Sequence, residues 1–152
     1  MKPYVLLRAT LLALLALAVL LPSAGADHGG GGGVPFTTTL TGAAEVPGPG
    51  DPDGRGVATL RLNPGQEEVC FDLAVTNITL PATGAHIHRG TATQFGDIVV
   101  HLAAPGTSGT SSGCVPADRA LLLDIIYNPA QYYVNVHTLP LYGAGAVRGQ
   151  LG

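Results

Sequence analysis

Apolar residues recur at every second position through much of this chain, and this period restricts its fold more than any other feature. Between positions 57 and 62 every even-numbered residue is apolar, and between positions 68 and 75 every odd-numbered residue is. Positions 98, 100 and 102 repeat the pattern. Because successive side chains of a β-strand point to opposite faces of a sheet, each stretch predicts a strand with one buried face.

Two further segments complete the predicted architecture. Residues 116–127 lack the alternation, and Asp118, a good helix N-cap, precedes a run of leucine and isoleucine; they predict a short helix that ends before Pro129. The Gly, Thr and Ser residues at 108–112 predict a flexible connection. Short strands separated by glycine and proline predict an all-β fold, namely an antiparallel Greek-key-like sandwich or barrel, immunoglobulin-like or superoxide-dismutase-like.

The N-terminal residues have the features of an export signal. Lys2 and Arg8 are followed by an apolar run at 9–21 and by the small residues at 24–26, so residues 1–26 are predicted to be a signal peptide. The glycine-rich residues 27–36 predict a flexible leader, although the threonine-rich pattern that begins at Val34 already suits a first strand. One domain, 37–152, remains, and the protein is expected to be secreted or periplasmic.

Charge restricts the partners of the exported chain. After removal of residues 1–26 it would carry five arginines, no lysine and ten acidic residues, a formal charge of −5. Nucleic acids and anionic membranes bind proteins through clustered positive charge, which is absent here. We therefore expect neither as a partner, and no membrane association after signal cleavage.

The chain has two cysteines, Cys70 and Cys114. Export would place them where disulfides persist, so a bridge is predicted, and closing this loop should stabilise the fold by about 4 kcal/mol in the chain-entropy model. Cys70 stands on the outward face of its predicted strand, which puts the bridge outside the core. A thiolate metal site is the alternative, but the wide separation lacks the close spacing of zinc motifs.

Histidines at strand spacing mark the candidate site. His86 and His88 share one face of a predicted strand, roughly 6.6 Å apart. His137 stands in the segment 132–138, where Val134 and Val136 face the other way. We expect the three imidazoles on one exposed polar face. The polar neighbours predicted on that face are Tyr133, Asn135, Arg148 and Gln150.

This cluster has two interpretations. Three imidazole nitrogens suit copper or zinc, which makes a metal site one hypothesis. In the other, the histidines only form hydrogen bonds with loops. Arg148 is likewise either a ligand-binding residue or one half of a structural ion pair, for which Glu45 is the predicted partner. His101 is expected to face solvent.

Several motifs resemble those of the CHRD domain, a module first named from chordin. They are Leu40 to Pro47, Ala85 to Gly90, Tyr132 to Thr138 and Gly145 to Leu151, in the order and spacing typical of the family. The resemblance covers about residues 37 to 152. It implies a secreted β domain, which in chordin is part of a protein that binds growth factors. For small single-domain members it implies no settled biochemical activity.

A shorter segment is similar to another family. Gly84 to His88, with Gly96 and Asp97 further on, resembles the copper-binding strand of copper-zinc superoxide dismutases. The histidine-rich zinc loop of those enzymes has no counterpart between Arg89 and Asn135, where His101 is the one histidine.

The sequence therefore leaves more than one function open. The first prediction is a secreted binding or structural module that is not obviously catalytic, with an extracellular protein or a small ligand as its partner. One alternative is a copper or zinc protein that binds the ion through His86, His88 and His137. The other is a copper-dependent oxidoreductase that resembles superoxide dismutase.

Overall fold

The computed structural model describes Met1 and residues 32–152. The predicted signal peptide beyond Met1, and residues 27–31 of the predicted leader, lie outside the described residues. The described strands and α-helix, in chain order, are β1 (Val34–Thr41), β2 (Arg55–Asn63), β3 (Glu68–Thr76), β4 (Gly84–Arg89), β5 (Ile98–Leu102), β6 (Thr110–Pro116), α1 (Arg119–Tyr127), β7 (Tyr132–Thr138) and β8 (Tyr142–Gln150). β1 begins at Val34 and so includes the last three residues of the predicted leader.

The eight strands form a nearly closed antiparallel barrel or sandwich, which confirms the predicted fold class. Their order is β5-β4-β7-β8-β1-β2-β3-β6. β7 and β8 pair as neighbours in the chain, whereas β4 pairs with β7 across 42 residues between Arg89 and Tyr132. This long-range pairing brings the histidine segments together.

The core follows the predicted alternation except at Ile98 of β5, which is 42% exposed because a register shift pairs it with His88 on the polar face. In β2 the residues Ala58, Leu60 and Leu62 are buried, and Val57 on the other face is exposed. β3 buries all four of its odd-numbered apolar residues, and β7 buries Val134 and Val136. Strand parity therefore decides which face each strand turns to the core.

The predicted helix is present as α1. The Asp118 carboxylate accepts hydrogen bonds from the backbone N–H groups of Ala120 and Leu121, at 2.8 and 3.2 Å. Leu122 and Ile125, three positions apart and thus on one helix face, are fully buried. Within residues 32–152 no helix has the length and apolarity needed to cross a membrane.

The predicted flexible connection at 108–112 is wrong in part, because residues from Thr110 onward belong to strand β6. β6 pairs with β3 along its whole length. Its sequence of Thr, Ser and Gly shows no apolar alternation because β6 is an edge strand with little side-chain burial. This strand is defined by its backbone pairing with β3 and not by a hydrophobic pattern.

Cys70 and Cys114 are directly opposite each other in this pair of strands and form the predicted disulfide. The bridge ties the edge strand β6 to β3 and lies outside the apolar core, as strand parity predicted. A sequence separation of 44 residues makes it a long-range cross-link of the unfolded chain.

Reduction of this disulfide is expected to lower the melting temperature by several degrees. Opening the loop restores conformational entropy to the unfolded chain, worth about 4 kcal/mol in the chain-entropy model. Thermal unfolding with and without reductant measures the change, and Cys70→Ala/Cys114→Ala serves as the matched variant that reductant should not affect. Free thiols in mass analysis of the unreduced protein would contradict the prediction.

Candidate functional site

Three neighbouring strands present the predicted site residues on one face of the sheet. β4 carries His86 and His88, and in the register of β4 with β7 these are opposite Asn135 and Tyr133. Asn135 is in turn opposite Arg148 of β8. Residues directly opposite each other in antiparallel strands point to the same face of the sheet. The polar face therefore carries the residues that were predicted from the alternation along each strand.

Much of this face is buried, which corrects the prediction of an exposed face. His88, Tyr133, Asn135 and Arg148 retain no more than 2% of their accessible surface. Two connections fold over the face: the β1–β2 connection, 42–54, and the β4–β5 connection, 90–97. Asn135 donates to the Glu45 carboxylate of the first connection, whereas Arg148 and Gln150 satisfy backbone carbonyl groups of the second. Arg148 donates to the carbonyl oxygens of residues 91 and 94, and Gln150 donates to those of residues 90 and 130.

His86, His88 and His137 converge as predicted. One nitrogen of each lies within 4.8 Å of a nitrogen of the others. Nδ1 of His86 is 3.0 Å from Nε2 of His137, and the ring centroids of His86 and His88 are 5.5 Å apart. His86 and His137 are half-buried, whereas His88 is 2% exposed.

Backbone carbonyls determine where two of the three imidazoles carry their protons. Nδ1 of His88 lies 2.9 Å from the carbonyl oxygen of Gly96, and Nδ1 of His137 lies 3.0 Å from that of Gly143. A carbonyl oxygen only accepts hydrogen bonds, so both Nδ1 atoms are protonated and both Nε2 atoms are unprotonated acceptors when the rings are neutral. Nε2 of His137 accepts from Nδ1 of His86. Nε2 of His88 is buried and has no hydrogen-bond partner.

Burial keeps the imidazoles neutral. The pKa of His86 falls from 6.5 to about 4, chiefly through burial and then through the nearby His137, His88 and His101. Burial also lowers the pKa of His88 and of His137. A neutral imidazole is the form that binds a metal ion.

The metal-free protein is expected to become more stable as the pH rises from about 4 to 6.5. An unfolded histidine binds a proton below pH 6.5, but folded His86 does so only near pH 4, so protons favour the unfolded chain in this window. Glu45 acts in the opposite direction, because its pKa is raised to about 7 and its stabilising effect is lost as the pH rises through that value. Burial also raises the pKa of Asp51, which acts in the same direction as Glu45, and we expect the lowered pKa values of the three histidines together to outweigh these two carboxyl groups.

Melting temperatures measured in the presence of a chelator test this pH dependence. Glu45→Gln should steepen the rise between pH 4.5 and 6.5, and His86→Ala should make it shallower. Identical pH profiles for the native protein and the His86 variant would contradict the assignment.

Tyr133 joins the histidines to Arg148. Its ring stacks on that of His88 at 4.8 Å and 8°, and the guanidinium carbon of Arg148 lies 3.4 Å from its centroid. Its hydroxyl oxygen accepts a hydrogen bond from the Gly96 N–H, 3.2 Å away. Tyr133 and Arg148 therefore hold the loop whose Gly96 carbonyl orients His88.

The ion pair predicted between Glu45 and Arg148 does not form. Both carboxylate oxygens of Glu45 accept from Nδ2 of Asn135 at 2.8 Å, and Arg148 is engaged with loop carbonyls instead. Among the described residues the one salt bridge joins Arg89 and Asp124, at 3.1 Å. Burial raises the pKa of Glu45, and the charge of Arg148 opposes that shift from a distance.

A cavity of about 430 Å³ opens beside the imidazoles. Its lining includes His86, His88, His137, Phe95, Asp97 and Ile98. Phe95 and Asp97 lie in the β4–β5 connection; of the two, only Asp97 was indicated by the sequence, through the short resemblance to copper-zinc superoxide dismutases. The carbonyl groups of Gly96 and Gly143 are backbone atoms, so no side-chain pattern predicts their hydrogen bonds to His88 and His137.

His101 is exposed, as expected, but it also adjoins the cluster. It is directly opposite His86 in the β4–β5 register, and the two ring centroids are 4.9 Å apart. An edge-strand histidine that faces solvent can thus still contact a half-buried one.

The fold and the site define an all-β module with a partly covered three-imidazole cluster on one sheet face. This chain belongs to the CHRD family, since the family model for the CHRD domain matches residues 36–151. No curated protein and no solved structure matches the chain. Membership in this family supports a binding or structural role.

Proposed function

We propose that this CHRD domain binds one divalent copper or zinc ion through His86, His88 and His137. The observation that carries the proposal is the buried Nε2 atom of His88, which has no hydrogen-bond partner although its ring is held in place by the Gly96 carbonyl. An unpaired buried lone pair is costly unless a ligand engages it. Imidazole nitrogen suits both copper and zinc.

The surroundings of the histidines support the same role. Histidines that bind metals usually donate their second N–H to a carboxylate or a backbone carbonyl, and His88 and His137 both do so. Nε2 of His88 and Nε2 of His137 would therefore be ligands without any change of tautomer. His86 would bind through Nδ1, the atom that faces His137, once its proton moves to Nε2.

The adjacent cavity supports a site that keeps a position open. Three protein ligands leave room for a water molecule or another ligand on zinc, and the cavity reaches the imidazoles from outside. Secretion and an extracellular partner remain predictions, as does the superoxide-dismutase-like alternative. Superoxide turnover by the copper-loaded protein would distinguish that alternative from metal binding alone.

Metal analysis of the purified, untagged protein tests the proposal. We expect one zinc or copper ion per chain after loading and dialysis, and electron paramagnetic resonance of the copper form should show hyperfine coupling to imidazole nitrogen. His28, in the predicted leader, could also chelate copper, so the measurements are made in a His28→Ala background as well.

The double variant His86→Ala/His137→Ala is the matched test of the site. It should lose the bound ion and still unfold cooperatively, because neither side chain belongs to the apolar core. Retention of the ion by this variant, or no ion in the native protein, would overturn the proposed function.

A further inference from the structure

A fourth imidazole lies outside the proposed ligand set and next to one of its members. His101 of the edge strand β5 is exposed, and its ring meets that of His86 at 4.9 Å with an interplanar angle of 89°. Among the described rings, His101 contacts His86 and neither His88 nor His137. It is therefore a neighbour of the cluster and not a member of it.

His86 occupies the middle of this arrangement. Its ring centroid is 4.8 Å from that of His137, 5.5 Å from that of His88 and 4.9 Å from that of His101. Accessibility decreases in the same direction, from exposed His101 through half-buried His86 to His88, which is 2% exposed. The imidazoles thus form a continuous series from solvent to the buried nitrogen.

We infer that His101 is a transient ligand through which the metal ion enters and leaves the three-histidine site. This inference rests on the proposed function. A metal ion bound to several nitrogens exchanges most easily when a new ligand attaches before an old one departs. His101 is placed to share the ion with His86 while the bonds to the buried histidines form or break.

A transient ligand has a distinctive kinetic signature. If His101 binds the ion only during exchange, its loss raises the barrier in both directions and leaves the equilibrium unchanged. We expect His101→Ala to reduce the association and dissociation rates of zinc by the same factor, about tenfold, with an unaltered Kd. A permanent ligand would instead change the Kd.

The cavity beside Phe95 is the competing route, and Asp97 offers the carboxylate that lines it. Asp97 is exposed, as His101 is, so Asp97→Asn is the matched control at the other entrance. Under our proposal His101→Ala slows exchange more than Asp97→Asn does. If Asp97→Asn slows exchange and His101→Ala does not, the ion enters through the cavity and the proposal is wrong.

The experiment uses the full exported chain and zinc(II) alone, followed by stopped-flow fluorescence of a zinc indicator, with release into excess chelator. His101→Gln is measured beside His101→Ala, because glutamine keeps a polar side chain and lacks imidazole; both should slow exchange equally. Native rates in both variants, or a weaker Kd, would overturn the role of His101. Absence of zinc binding by the native protein would overturn the proposed function itself, so the two failures are distinguishable.

Discussion

Ile87→Asp is expected to abolish cooperative folding. Ile87 lies between two proposed ligands in sequence but points to the opposite face, where it is fully buried. Val134 of β7 and Val100 of β5 are its register partners in the core. An uncompensated carboxylate at this position costs several kcal/mol, which is comparable with the roughly 5–15 kcal/mol that stabilises a typical domain.

Circular dichroism melting curves and size-exclusion chromatography measure this loss. The conservative Ile87→Val should retain the fold and lose about 1 kcal/mol of stability. The double variant His86→Ala/His137→Ala changes the chain neighbour of Ile87 and a residue of the adjacent strand β7, and it should retain a cooperative transition. A native-like transition in the aspartate variant would mean that the parity assigned to β4 is wrong.

His88→Phe is expected to weaken zinc binding by at least about a hundredfold, since loss of an outer-shell partner alone costs roughly 10–100-fold. Phenylalanine keeps an aromatic ring that can stack on Tyr133 but has no nitrogen to bind the ion. Loss of the hydrogen bond to Gly96 should also lower stability, by about 1–3 kcal/mol. Isothermal titration with zinc measures the affinity, and the melting curve shows whether the variant is folded.

Ser112→Ala is the control for this variant, since Ser112 is exposed on β6, a strand at the opposite end of the sheet order from β5. It should bind zinc with native affinity. Native affinity in a folded His88→Phe protein would contradict the assignment of His88 as a ligand.

The fold was predictable because its main signal is local. Each alternating stretch defines a strand and its buried face without reference to the rest of the chain, as the core residues of β2 and β3 show. The helix cap at Asp118 and the disulfide follow from equally local or compositional features. β6 escaped prediction because an edge strand held by backbone pairing needs no apolar alternation.

Strand parity also assigned the histidines, Asn135 and Arg148 to one face, and the structure confirms this. It could not show that the face is covered. Covering depends on how the glycine- and proline-rich connections at 42–54 and 90–97 pack on distant strands, and such connections carry no periodic signal. The predicted ion pair between Glu45 and Arg148 was wrong for the same reason. Only the packing of the connections decides that Asn135 bonds the Glu45 carboxylate while Arg148 bonds loop carbonyls.

The sequence by itself determined the strands other than β6, most of their inward faces, the helix, the cysteine pair and the shared side of His86, His88 and His137. All of these depend on residue type and on a period of two. Tertiary structure alone decided the burial of His88, the tautomers imposed by the carbonyls of Gly96 and Gly143, and the contact of His101 with His86. These features depend on contacts between strands and backbone atoms that are far apart in the chain. No local pattern of residue types predicts such contacts.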